Sequence, residues 1–117
     1  MAQPLYTVVE TPEFLRAARR LFDEAERSEL VEYVARHPTA GDLMPGTGGA
    51  RKFRWGVGSK GKRGGARVIT FYGDAELPVF LLTVFGKGER ANLSRAEQNE
   101  LRQLLGLLVV EYRSGAG

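Results

Sequence analysis

The sequence predicts an α+β domain: a small, mostly antiparallel sheet of about four strands, with two N-terminal helices and a C-terminal helix. Three observations lead there. The chain reads in order as a β-rich run, two stretches of helical period, three runs of strand composition and a last helical stretch. The three strand-like runs follow one another through short links, which favours antiparallel pairing. Finally, 117 residues, 43% of them hydrophobic, suffice for one core, and neither an internal repeat nor a linker divides the chain, so residues 1–117 read as a single domain.

Leu5 to Val9 is the first β-rich run. Thr11 then offers a side-chain cap and Pro12 suits a first helical position; Phe14, Ala17, Ala18 and Leu21 repeat at helical spacing. Asp23 and Glu26 form a capping-box-like pair for a second helix, whose inward stripe would be Leu30, Val31 and Val34 and which ends at His37-Pro38. A glycine-rich link follows, with Gly41, Gly46, Gly48 and Gly49. From Arg51 to Val57 the period changes to two: Phe53, Trp55 and Val57 alternate with Lys52 and Arg54, the pattern of a half-buried strand with a charged open side. Gly58 to Gly65 reads as a basic loop, Ala66 to Tyr72 as the second arm of a hairpin, and Val79 to Phe85, apolar on both sides, as a central strand. Ser94-Arg95-Ala96-Glu97 is a capping box for a helix carrying Leu101, Leu104, Leu105 and Leu108; the tail from Arg113 is expected to fray. All helices are expected on one sheet face, leaving the face of Lys52 and Arg54 open.

Charge is unevenly placed. Between Leu43 and Tyr72 stand seven bases (Arg51, Lys52, Arg54, Lys60, Lys62, Arg63 and Arg67) and no acid. The other 10 of the 17 bases face all 14 acids, so the net +3 conceals a basic middle third within an otherwise acidic chain. A concentrated basic surface attracts polyanions, and a merely solubilising one usually mixes both signs. Nucleic-acid contact is therefore the expected binding mode, with no membrane partner. The absence of cysteine excludes disulfides and thiolate zinc sites and suits a cytoplasmic location. No apolar run approaches the roughly 18 residues of a membrane span, and the N-terminus lacks the pattern of a secretion signal.

Several motifs invite a function and fail. Gly56 to Gly61 matches G-x-G-x-x-G, but a strand and not a helix follows it. Gly56 to Lys62 matches G-x-x-x-x-G-K, yet Arg63 stands where a nucleotide loop needs Ser or Thr. His37, the lone histidine, reads as a helix-end residue, and Asp23, Glu24, Glu26 and Glu29 read as a solvated helix face. Trp55 could stack on a base, but its strand position points it to the core, and Phe71 and Tyr72 carry the same ambiguity.

The run Pro45-Gly46-Thr47-Gly48-Gly49-Ala50-Arg51-Lys52-Phe53-Arg54-Trp55, the run Gly61-Lys62-Arg63-Gly64-Gly65-Ala66-Arg67-Val68-Ile69, and Phe80 to Lys87 followed by Asn92-Leu93-Ser94 resemble the HigB branch of the RelE/ParE toxin superfamily. With the helix pair before Gly41, the resemblance spans nearly the whole chain. It implies the toxin of a type II toxin–antitoxin pair, an mRNA interferase that cleaves transcripts in the ribosomal A site without metal or other cofactor. The implied products are a 2′,3′-cyclic phosphate and a free 5′-hydroxyl. The implied partners are mRNA, the ribosome with its rRNA, and a cognate antitoxin of helix-turn-helix type. The antitoxin is expected either to cover the basic face with acidic residues or to pack against the helices.

The chemistry needs a 2′-hydroxyl oriented and deprotonated, charge neutralised on the phosphate, and a proton for the leaving 5′-oxygen. Arginine's planar fork suits the phosphate. Lysine, ordinarily with a pKa of about 10.4, becomes a better base where neighbouring cations disfavour its charge. The resemblance carries Lys52 and Arg54 onto the family's second-strand basic pair, Arg67 onto the arginine of the third strand, facing the scissile phosphate, and Lys87 onto the basic residue after the fourth. Either lysine is a candidate acid or base. Arg51, Lys60, Lys62 and Arg63 are expected to hold RNA or rRNA backbone. The chain departs from familiar RelE members in two places: Gly88 stands where they have arginine, and Ser94 lies near their tyrosine position. Two other readings stay open, a ParE-like gyrase poison and a non-catalytic member that binds only antitoxin or nucleic acid.

Overall fold

A computed structural model of the chain describes residues 5–57, 61–86 and 93–116, the side chains of residues 57, 61–64 and 114–116 excepted. The first strand, β1 (Val8–Glu10), leads into α1 (Pro12–Leu21) and α2 (Glu24–Arg36). Then come β2 (Asp42–Leu43), β3 (Ala50–Val57), β4 (Gly61–Tyr72), β5 (Val79–Gly86) and α3 (Arg95–Ala116). The five strands form one sheet in the order β1-β5-β4-β3-β2, antiparallel except for β1 beside β5. The predicted α+β class holds, with one strand more than expected; β2, at two residues, is too short to leave a periodic signal.

The caps sit where the sequence placed them. The Thr11 hydroxyl accepts from the Phe14 N–H at 3.1 Å and lies 3.0 and 3.1 Å from the Leu81 and Leu82 carbonyl oxygens, so the α1 cap also ties the helix to β5. The Asp23–Glu26 box closes in both directions, at 2.8 and 2.9 Å. Ser94 and Glu97 do the same before α3, at 3.1 and 2.8 Å. Each such cap contributes on the order of 1 kcal/mol. Arg27 on α2 reaches both Glu24 and Glu10, joining this helix to β1.

The glycine-rich link is a scaffold feature. Gly41 has φ +93°, and a Cβ there would stand 2.5 Å from the Lys52 carbonyl oxygen, so only glycine lets β2 approach β3. At the following turn the buried Thr47 hydroxyl accepts from the Ala50 N–H at 3.0 Å and donates to the Met44 carbonyl at 2.8 Å.

Two apolar clusters lie on opposite sides of the sheet. On one side α1 and α2 bury Phe14, Ala17, Ala18, Leu30 and Val34 against Ala66, Val68, Val79, Leu81 and Val84, with Phe53, Trp55 and Tyr72 at the margin. On the other side Leu105 of α3 packs with Ala50, Ile69, Phe71, Phe80, Leu82 and Phe85. This corrects the expectation that all helices share one face. The reason lies in β5: a strand apolar on both sides needs a cover on both. Two further readings change. The segment read as a loop to Gly65 enters β4 at Gly61, with the β3–β4 register slipping between Trp55 and Val57 and Gly65 at φ +56°. The tail expected to fray continues as helix to Ala116.

Candidate nucleic-acid interface

Strand alternation sorts the bases of β3. Lys52 and Arg54 project to the α3 side, and Phe53 and Trp55 to the α1–α2 side. Trp55 accordingly packs 4.9 Å from the Tyr33 ring as a core-margin residue, Phe71 stacks on Phe80 at 6.1 Å, and Tyr72 meets Tyr6 edge-on at 5.7 Å. The Tyr72 hydroxyl is held above its ordinary pKa first by its hydrogen bond with Tyr6.

Arg51 belongs with the second set. It lies opposite Thr70 on the α1–α2 side, donates to the Thr39 and Gly41 carbonyls at 3.3 and 3.4 Å, and has its Nε sealed from solvent without a partner. It braces the link after α2 and stands apart from Lys52 and Arg54. The period-two pattern of Arg51 to Val57 already contained this, because Arg51 is in step with Phe53 and Trp55.

The remaining bases meet across the sheet. Arg54 is directly opposite Arg67, and Arg67 is directly opposite Phe85. Lys52 is opposite Ile69, one same-face step away along β3, roughly 7 Å. Directly opposed residues of an antiparallel pair have Cβ atoms about 4.5–5.5 Å apart, and like charges there cost on the order of 0.2–1 kcal/mol. Arg54 is exposed and has no ion pair among the described residues; Lys52 and Arg67 are half-buried. Two arginines opposed beside a third cation thus concentrate positive charge on one side of the hairpin. An anion bridging the two guanidinium groups relieves the repulsion, and a phosphodiester offers two oxygens for that purpose.

Sequence reasoning missed one neighbour. Asp42 on β2 is opposite Lys52, so an exposed carboxylate borders the cationic row at its sheet-edge end. The signal was hidden because β2 is so short. Lys60 and Lys87 lie outside the described residues, as do the side chains of Lys62 and Arg63. The Ser94 hydroxyl accepts from the Glu97 N–H and is committed to the α3 cap.

Among the described residues no cluster of His, Cys, Asp and Glu is suited to holding a metal ion, and no helix is long and apolar enough to cross a membrane. No protein-family model matches the chain.

Proposed function

We propose that the protein is a RelE/HigB-type toxin of a type II toxin–antitoxin pair, acting in the cytoplasm as a metal-independent, ribosome-dependent mRNA endoribonuclease. The observation that carries the reading is the direct opposition of Arg54 and Arg67 on the α3 side of the sheet, with Lys52 beside them. Directly opposed like charges are unfavourable in a sheet, and a phosphodiester can bridge two guanidinium groups with two oxygens. In the reaction the substrate's 2′-oxygen forms a bond to phosphorus and the bond from phosphorus to the 5′-oxygen breaks. One proton leaves the 2′-hydroxyl and one reaches the 5′-oxygen, so no water or oxidant is consumed. Arg54 and Arg67 hold the phosphate and take up its growing charge. Lys52 handles one proton, and Lys87, known here only from the sequence, is the candidate for the other.

A second reading is favoured by one observation. With Ser94 held in the cap, nothing at that position stands in for an aromatic acid–base group. A member that grips RNA and an antitoxin without cleaving fits that fact.

Mapping transcript ends after induction separates these. Cleaved mRNAs with 5′-hydroxyl ends, lost in an R67A/K87A double variant that still folds, are expected. Intact transcripts with normal growth would select the non-catalytic reading, and DNA damage with intact transcripts a gyrase poison.

A further inference from the structure

We propose that the groove between the start of α1 and α3 receives a basic amphipathic helix from a partner protein. The groove has a volume of about 490 Å³ and an apolar floor of Leu82, Leu101, Leu104 and Leu108. Among the described residues its polar rim carries the carboxylates of Glu13, Glu97 and Glu100 and no base, with Glu13 paired to Arg16 of α1. The apolar surface continues past the groove: Leu104 is 43% exposed, Leu107 66% and Val110 63%. Single exposed leucines are ordinary, but three large apolar side chains within two turns, bordering an apolar groove, make a patch that binding would cover.

The shape selects a helix. Leu101, Leu104 and Leu108 recur at three- and four-residue spacing over about 10.5 Å of α3, the ridge into which an apolar stripe at i, i+3 and i+7 packs. The charge selects a basic one. Glu100 has no ion pair among the described residues, and Glu111 extends the acidic margin of the exposed side. A second copy of the chain fits poorly. Its arginine-bearing helix, α1, has Phe14, Ala17 and Ala18 already buried, and two α3 faces brought together would oppose their own glutamates. The groove has the opposite sign to the arginine row, so the two surfaces call for partners of opposite charge. This inference does not depend on the nuclease reading.

The test uses the full chain and two labelled synthetic helical peptides with the same leucine stripe, one flanked by lysines and one by glutamates. Fluorescence anisotropy should show the lysine peptide binding at least about tenfold more tightly. E100K should shrink that preference, and L104K should abolish binding while circular dichroism and thermal unfolding stay as in the parent. Equal binding of both peptides, tighter binding of the glutamate peptide, binding that survives L104K, or no binding by either overturns the proposal. So does a concentration-dependent dimer, seen by light scattering, that L104K dissolves.

Discussion

The two sides of the sheet are built from the same strands and finished differently. The α1–α2 side is closed by two helices over a run of small and medium apolar residues, from Ala66 through Leu81. The α3 side is closed by one helix over Phe71, Phe80 and Leu82, and its charged row, Lys52 with Arg54 and Arg67, is no part of that cluster. On the first side the buried positions answer to packing, with Arg51 bracing the margin. On the second, packing and charge sit next to each other and answer to different demands.

The largest effect that sharpens this contrast is in the core. Phe14→Ala, at a fully buried position on the α1–α2 side, should cost about 3–5 kcal/mol in denaturant unfolding, whereas Leu107→Ala on α3 should stay within about 0.5 kcal/mol. Equal costs would mean that α3 packs more completely than its exposed leucines indicate. Next comes the helix start: Asp23→Ala removes the capping box and should lower stability by about 1 kcal/mol.

The arginine row should respond in the opposite sense. Arg54→Thr should leave stability unchanged or raise it by a few tenths of a kcal/mol at low salt, because a like-charge pair is relieved. The same change should weaken single-stranded RNA binding and lower the salt slope of log affinity by about 0.7 for one lost phosphate contact. A loss of stability with unaltered RNA affinity would assign the pair to the fold.

The smallest effect concerns Asp74, in the β4–β5 turn. Its carboxylate is held below the ordinary value by the Glu76 N–H, at 2.9 Å, and then by Arg113 of α3. A folded-state pKa below the unfolded one adds stability above the unfolded value of about 3.8, and that stability disappears as pH falls through the folded value. Asp74→Asn should therefore lower stability slightly at neutral pH and converge on the parent in acid, flattening the acid limb of the thermal-unfolding profile.

Much of this was legible beforehand, for reasons that can be named. Caps at Thr11, Asp23 and Ser94 are local signals, and the structure uses each one. The alternation in β3 separated Lys52 and Arg54 from the aromatics because a strand has only two sides. The same alternation set Arg51 on the other side, against the assumption that all bases of an acid-free run act together. The position of α3 depended on tertiary demand: β5 is apolar on both sides, and no local period says which helix covers which. The facing of Arg54 and Arg67 depended on hairpin register, which slips at Trp55–Val57 and so could not be counted back from an ideal turn.

The most direct test of the central claim is the affinity of the purified protein for a short single-stranded RNA, measured in parallel with unfolding free energy for Arg54→Thr, Arg67→Thr and the pair. An anion site predicts that RNA affinity falls by at least about tenfold in the double variant while stability holds or rises. Unchanged affinity, or a fall that merely follows a loss of folded protein, contradicts it.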